Sequence, residues 1–484
     1  MQTQTKRNDV RKMTMQFMVV FFAAYLCVGA VCADDFQQQL NELRSRIDAV
    51  QNDTAEMRES LGELKAKQSQ TWLTQERAAE IRFLIQDVLN DADARSSLQG
   101  DGVLGGWSDG FFLASGDGRF KLNIGGLIQE RYVLNYLRNG TGANADRWRG
   151  GFENTRTRLS FSGHIFDKDT TFLVQAGFGW LDPNALSSSP FVEISSRLWD
   201  SWIKFRLSEN WSAKLGVFML PFTRESLVSD KYQLAVDRSL IDYRVGLARS
   251  QGVEFTWSSG NKRVFLATTN GSNTLTSINA AANNPTPPWP ALDSDSEWSI
   301  TARAEFLLEG SWEQFNQFTS PVGSEKATMF GVAVHAQNQE RNNFGGTKRD
   351  QVGVTADVSM HFDGATLFAS GTFHNQKDVT PTAPNVDWLG YVLQGSTYMT
   401  DTTEVFLRFE GGGAMLDELG GDTVQILTAG ANWYLDKQGL KITSDYGWSI
   451  GKITPAMDNW MVGWRESDKR DAEWLFRTQL QLAF

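Results

Sequence analysis

Charged side chains at alternate positions are the residues of this chain whose types and spacing could do chemistry. In each of three pairs, such as Arg156 and Arg158, the two charges are separated by one residue. Side chains two apart on a strand project from the same face, so each pair would present two charges to one side of a sheet. Fixed charges facing water can bind and steer small ions, whereas the alternative is that they are ordinary solvated wall positions. The candidates are Arg156, Arg158, Lys204, Arg206, Lys214, Arg303, Glu305 and Arg408.

A second group of charges lies between residues 220 and 250, in a stretch without strand-like alternation. A long loop in a compact fold usually has a role. If the surrounding strands enclose a water-filled space, a loop that folds into that space would narrow it and concentrate the loop's charges there. The candidates in this predicted constriction loop are Arg224, Glu225, Lys231, Arg238 and Arg249.

Other chemistry finds little support in the sequence. The four histidines have no metal-ligand spacing, and the glycine runs 411–413 and 420–421 lack the Lys-Ser/Thr of a phosphate loop. Cys27 and Cys32 are the only cysteines, which leaves no thiol chemistry after residue 33. The net charge of −11 disfavours nucleic-acid binding. We therefore expect no catalytic residue, metal site or cofactor.

Segments with period-two hydrophobicity must position these charges. The clearest is 351–362, where Val352, Val354 and Val358 share one face while Thr355 and Asp357 share the other. Sixteen such segments occur, and the pattern predicts an all-β protein. They are 119–136, 154–165, 170–180, 197–207, 211–219, 251–257, 263–270, 297–308, 326–337, 351–362, 365–374, 387–399, 403–411, 423–435, 440–450 and 472–484.

The connections between these segments alternate between short and long. Short links follow most even-numbered segments, as at 166–169 and 436–439, and longer links follow the odd-numbered ones. A closed up-and-down barrel in an outer membrane has this asymmetry, with short turns on the periplasmic side and long loops outside. The link 309–325 breaks the rule, because its position predicts a turn but it is long. Sixteen strands enclose too wide a space for side chains to fill, so we expect a water-filled lumen.

The residues before the predicted barrel show different sequence patterns. A basic segment, the apolar run from Phe17 and the small residues before Asp34 predict a signal peptide over 1–33. Apolar residues then recur at heptad spacing, with Leu40, Ile47 and Leu61 at one seam position, which predicts a periplasmic coiled coil over 34–70. This helix could pair between chains or fold back on the helix that follows. Residues 71–118 are predicted as that helix and a Gly-rich linker, and 119–484 as the barrel.

Two blocks resemble a known family. Residues 216–229 (GVFMLPFTRESLVS), followed by 237–240 (DRSL) and 249–253 (RSQGV), resemble the signature of the phosphate-selective porin O and P family. Residues 156–164 (RTRLSFSGH) are similar to its second-strand motif, and the chain has Ala248 where the family often has Gly. The resemblance spans most of 119–484. It implies a sixteen-stranded porin that assembles as a homotrimer, with basic residues guiding anions.

We therefore expect an integral outer-membrane porin for passive diffusion of small hydrophilic solutes, including anions such as phosphate. Its N-terminal region would lie in the periplasm. The terminal strand, ending at Phe484, is similar to the signal by which outer-membrane barrels are assembled. An alternative function is structural, with the coiled coil tethering the outer membrane to the cell wall or to a periplasmic partner.

Overall fold

A computed structural model describes the barrel part of the chain. The described residues are 103–107, 110–138, 147–179, 195–272, 296–339, 349–378, 386–414, 423–453, 462–465 and 473–484. The predicted signal peptide, the coiled coil over 34–70 and the helix predicted at the start of 71–118 lie outside these residues.

Strands make up most of the described residues. In chain order they are β1 Val103–Trp107, β2 Phe111–Ser115, β3 Lys121–Leu137, β4 Trp148–His164, β5 Thr170–Gly179, β6 Ser195–Arg206, β7 Trp211–Met219, β8 Arg249–Ser259, β9 Lys262–Thr269, β10 Ser296–Glu309, β11 Ala327–Gln339, β12 Arg349–Phe362, β13 Ala365–Asp378, β14 Val386–Thr400, β15 Thr403–Ala414, β16 Val424–Asp436, β17 Leu440–Ser449 and β18 Glu473–Ala483.

The sixteen strands β3–β18 form a closed antiparallel barrel. Each pairs with its neighbours in sequence, and β18 closes the ring on β3. At the seam the backbone N–H of Gly126 donates to the carbonyl of Phe484 at 2.8 Å, and the N–H of Phe484 donates to the carbonyl of Gly126 at 3.0 Å. A side chain at residue 126 would meet the Phe484 ring, which would have to move to admit it. The sequence prediction of a sixteen-stranded barrel is confirmed.

The two faces of the wall differ as the alternation predicts. On β12, Val352 and Val354 are exposed on the outside, while Thr355 and Asp357 are buried on the inside. Apolar side chains on the outer face are the low-energy arrangement in lipid, where a charge at the bilayer midplane costs roughly 2–4 kcal/mol. No helix in the described part of the chain is long and apolar enough to cross a membrane.

The two ends of the barrel are built differently. We call the end that carries the links 165–169, 207–210, 260–261, 310–326, 363–364, 401–402 and 437–439 the turn end, and the opposite end the loop end. The constriction loop, residues 220–248, starts from the loop end and contains the short helices α1 Arg224–Leu227 and α2 Leu240–Val245 and the 3-10 helix η1 Asp230–Tyr232. The link 310–326, which we call the inner segment, contains the 3-10 helix η2 Trp312–Asn316.

Three details differ from the sequence prediction. Arg249 is the first residue of β8 and not part of the loop, because it continues the pairing of β7 through Met219. Strands β1 and β2 lie in the segment predicted as linker, where closely spaced glycines such as those at 105 and 106 had indicated irregular structure. The link 310–326 is long because it folds inward, with Phe315 and Phe318 buried.

Candidate functional site

The constriction loop lies inside the barrel and contacts the wall opposite its own strands. The backbone N–H of Val236 donates to Asp445 of β17 at 3.1 Å, and the amide of Asn432 on β16 donates to the carbonyl of Leu234 at 2.9 Å. Leu234 and Val236 are almost fully buried. Because β16 and β17 face β7 and β8 across the lumen, these bonds show that the loop spans the interior.

Four arginines and two aspartates fix one side of the loop, and we call this group the arginine latch. Its members are Arg131 of β3, Arg156 and Arg158 of β4, and Asp230, Asp237 and Arg238 of the loop.

Each aspartate of the latch binds more than one arginine. Asp237 accepts from Arg131 at 2.8 Å and from Arg156 at 2.5 Å. Asp230 contacts Arg158 and lies 2.6 Å from Arg238. Burial would raise the pKa of Asp237, but Arg156, Arg131 and Arg477 outweigh it and hold that pKa below its usual range. The two loop carboxylates therefore pair with arginines that β3 and β4 direct into the lumen, and these arginines are held in buried ion pairs.

Arg408 and Glu410 of β15 hold the loop from the far side. Arg408 donates to the carbonyl of Asp237 at 2.8 Å and lies 3.8 Å from Glu225, while Glu410 accepts from the N–H of Ile241 at 3.2 Å. Glu225 also accepts from the N–H and the hydroxyl of Ser239, at 2.5 and 2.6 Å. Burial, followed by the nearby Asp242, raises the pKa of Glu225 to about 7.

Arg303 connects the base of the loop to the wall. It forms a two-armed ion pair with Asp357 at 2.8 and 3.0 Å, contacts Glu305 at 2.8 Å, and donates to the carbonyl of Phe222 at 2.8 Å. A guanidinium shared in this way has little capacity left for a solute. Arg303 and Glu305 thus act with the arginine latch in holding the loop.

The inner segment enters from the turn end and meets the constriction loop. The N–H of Phe318 donates to the carbonyl of Tyr232 at 3.2 Å, and Arg224 donates to the carbonyl of Phe315. Phe318 packs edge-on against Phe368, with ring centroids 4.9 Å apart. Leu234, Leu240, Ile241, Val245, Phe318, Phe368, Trp388, Val392, Phe406 and Ile426 belong to one buried apolar cluster. Protein therefore fills the lumen beside β13–β16.

A cavity remains on the other side, at the turn end beside β5–β9. Its volume is about 560 Å³. Four cations and two carboxylates line it, together with Thr171, Thr256, Ser258 and other polar residues. The charged residues are Lys168, Lys204, Arg206, Arg263, Asp169 and Glu209. This stretch of wall is wet and carries a net positive charge.

The charges around this cavity are only partly paired. Arg206 lies 3.1 Å from Asp169, with both side chains more than half exposed, and Lys214, deeper on β7, lies 2.7 Å from Glu254. Solvent weakens an exposed pair such as the first. The structure records no ion pair of Lys204 or Arg263 with any described residue, although Arg263 stacks on Trp312 at 4.0 Å.

The remaining loop candidates lie apart from the cavity. Lys231 lies over the ring of Tyr232 at 4.7 Å, and Arg249 pairs with Asp200 at 2.9 Å. Sequence reasoning missed Arg131 and Arg263, although strand alternation could have assigned both to the inner face.

The structure also bears on metal binding. His335 is bonded to Thr301 at 2.8 Å and to Gln337 at 3.1 Å. In the residues that the structure describes, no group of three or more His, Cys, Asp or Glu side chains could hold a metal ion.

Two solved structures are similar to this barrel. The anion-selective porin from Comamonas acidovorans has the same fold, with a TM-score of 0.52, 12% identity, and coverage of 75% of this chain and 99% of that porin. The outer membrane channel DcaP of Acinetobacter baumannii has a TM-score of 0.50 and 11% identity, over 75% of this chain and 97% of its own. No curated protein sequence matches the chain.

Family assignment rests on the sequence itself. The model of the family described as phosphate-selective porin O and P matches residues 141–453, well over half of the chain. This range contains the constriction loop, most of the barrel strands and the cavity wall. The chain therefore belongs to the phosphate-selective porin O and P family and is a porin of the outer membrane.

Proposed function

We propose that this porin prefers anions and that its solutes move along the wall formed by β5–β9. The supporting observation is the uneven pairing of charge inside the barrel. Acids of the constriction loop hold the arginines of β3 and β4 in buried ion pairs, whereas the cavity wall carries a net charge of +2 on side chains that are only partly paired. Lys204, Arg206 and Lys214 then line the path, while Arg156, Arg158, Arg303, Glu305 and Arg408 hold the loop.

The size of the effect follows from the cavity. A sphere of about 560 Å³ has a radius of roughly 5 Å. A unit anion at its centre gains about 0.8 kcal/mol from each wall cation at a water-like dielectric constant. Since 1.4 kcal/mol is a tenfold change, each cation alters anion partitioning about fourfold. Several wall charges together would give a marked preference for anions without trapping them.

The reversal potential across a planar bilayer in asymmetric potassium chloride tests this proposal. We expect the wild type to favour chloride. Lys204→Gln and Arg263→Gln should each lower the anion-to-cation permeability ratio roughly 15-fold, because one wall cation attracts an anion and repels a cation by the same energy. Lys262→Gln is the matched control. It removes the same charge one residue away, from a side chain that shares a face with Phe306 on the outside of the barrel.

Two results would contradict the proposal. A wild-type channel that prefers potassium would mean that the cavity does not set selectivity. Equal effects of Arg263→Gln and Lys262→Gln would mean that the overall charge matters and the cavity wall does not.

Within this function we propose phosphate as one solute. The basic cavity supports the choice, because lysine and arginine both bind phosphate oxygens. Adding phosphate to chloride on the turn-end side should reduce the chloride current in the wild type and reduce it less in Lys204→Gln. A chloride current that phosphate leaves unchanged in both would remove phosphate as a solute while keeping the anion preference.

We also propose that the N-terminal region lies in the periplasm, that residues 34–70 form a coiled coil, and that the porin is a homotrimer. The heptad pattern and the family resemblance support these statements. Deleting residues 34–98 separates a porin from a structural tether: a porin keeps its conductance, whereas a tether loses envelope attachment. Cross-linking of the full chain and of this deletion would show whether trimers form and need the coiled coil.

A further inference from the structure

The hairpin β1–β2 presents an apolar face that the barrel does not cover. In its register Trp107 is opposite Phe111, and Gly105 is opposite Leu113. Directly opposed residues of an antiparallel pair project from the same face, so Val103, Trp107, Phe111 and Leu113 share one side. All four are exposed, with Val103 67% and Trp107 60% accessible. An apolar face of this kind usually marks a binding surface.

This face is continuous with the outer wall of the barrel. Leu113 is opposite Leu122 of β3, and the same row continues through Gly163, Phe172 and Ile203 to Leu215 of β7. Every step in the row preserves the face. Ile203 and Leu215 are exposed on the outside, where the wall meets lipid. The hairpin therefore extends the lipid-facing surface.

The opposite face of the hairpin leads into the lumen. Ala114 is opposite Lys121, and that row continues through His164 and Thr171 to Lys204. Thr171 and Lys204 line the cavity. Neighbouring residues 113 and 114 thus point to the two sides of the wall.

The hairpin lies at the depth where the membrane meets water. Phe172, in the row of Leu113, is close to the 165–169 turn, so this row reaches the turn end. Phe120 and Phe166 are exposed at the same end with ring centroids 6.0 Å apart, and Trp107 packs edge-on against Phe111 at 4.7 Å. Tryptophan and other aromatic side chains favour this interfacial depth.

We propose that the apolar face of β1–β2 binds the phospholipid of the periplasmic leaflet. The hairpin then anchors the start of the barrel domain to the membrane interface. Continuity with the outer wall favours lipid as the occupant, because one apolar surface runs unbroken from Leu113 to Leu215. A second copy of the chain is the competing occupant, and the experiment below distinguishes the two.

Site-directed spin labelling in phospholipid vesicles tests the proposal on the full chain. The only cysteines, Cys27 and Cys32, are replaced by serine, and single cysteines are placed by Leu113→Cys and Ala114→Cys. Leu215→Cys marks the lipid-facing wall, and Asp401→Cys marks an exposed turn. The measurement is the accessibility of each label to oxygen, which concentrates in lipid, and to a water-soluble nickel chelate.

We expect the logarithm of the oxygen-to-nickel accessibility ratio to be positive at residues 113 and 215 and negative at 114 and 401. A negative value at 113 would overturn the proposal, because the face would then lie in water. Low accessibility to both reagents at 113 would also overturn it, because protein would then cover the face. A positive value at 215 in either case would leave the porin assignment intact. If Leu113→Cys does not fold, Phe111→Cys replaces it on the same face.

Discussion

Replacing Asp237 with asparagine should release the constriction loop from the wall. The Asp237 carboxylate accepts from Arg131 at 2.8 Å, from Arg156 at 2.5 Å and from the Tyr243 hydroxyl at 2.7 Å. Asparagine keeps the shape of the side chain but removes its charge. Its amide group also places donors where a carboxylate oxygen accepted from an arginine.

The free-energy cost of Asp237→Asn depends on the ion pairs that Arg131 and Arg156 keep. Removing one member of a buried ion pair typically costs about 3–5 kcal/mol, because the other charge is left buried and unpaired. Here Arg131 keeps Glu153 at 2.8 Å and Arg156 keeps Asp230 at 3.6 Å. We therefore expect the lower end, about 3 kcal/mol. This shifts the equilibrium between seated and released loop by roughly 100-fold.

Single-channel recording in a planar bilayer is the assay. Asp237→Asn should give a larger and noisier conductance than the wild type, because the released loop fluctuates in the lumen. Asp242→Asn is the matched control in the same loop. The carboxylate of Asp242 is held by the hydroxyls of Thr223 and Ser226, at 2.5 and 2.8 Å, and its nearest arginine, Arg238, is 3.9 Å away.

Two outcomes would refute this reasoning. If Asp237→Asn kept the conductance and noise of the wild type, the arginine latch would not position the loop. If Asp242→Asn opened the channel as much, the general packing of the loop would matter more than its ion pairs.

Three further predictions concern the same interior. Replacing residues 312–322 by a short Gly-Ser turn should raise the single-channel conductance, since the inner segment fills part of the lumen; an unchanged value would show that it lies off the path. Because the pKa of Glu225 is raised to about 7, the folded protein holds this proton more tightly than the unfolded chain. The contribution of Glu225 to the free energy of unfolding is full below about pH 4.5 and is lost as the pH rises to about 7. The urea unfolding midpoint should therefore fall over this pH range in the wild type and change less in Glu225→Gln. An equal change in both proteins would contradict the raised pKa of Glu225. Ala248 has φ +54° at the base of the loop, so Ala248→Gly should stabilise the protein by about 1 kcal/mol, and a lower unfolding midpoint would show that the alanine is not strained.

The barrel could be predicted from sequence because each strand carries its own local signal. The segment predicted at 351–362 corresponds to β12 at 349–362, and that at 403–411 to β15 at 403–414. Alternation with period two is imposed by lipid on one side and water on the other. It therefore appears in every strand without knowledge of its partners.

The interior could be predicted only in part. The sequence indicated which charges point inward, but not that Asp230 and Asp237 would pair with the arginines of β3 and β4, which lie more than 70 residues away in the chain. Ion pairs of this kind depend on the path of the loop, which no local pattern encodes. The unusual length of the link 310–326 was visible, whereas its inward course was not.

The seam between Gly126 and Phe484 makes the end of β18 part of the barrel closure. Until β18 pairs with β3, β18 and the part of β3 from Leu127 to Leu137 have unpaired hydrogen-bonding edges. A chain that ends early would keep these edges open, and an open edge cannot be accommodated in the hydrocarbon region. A barrel without β18 would therefore keep two open edges, and its insertion into the membrane depends on this final pairing.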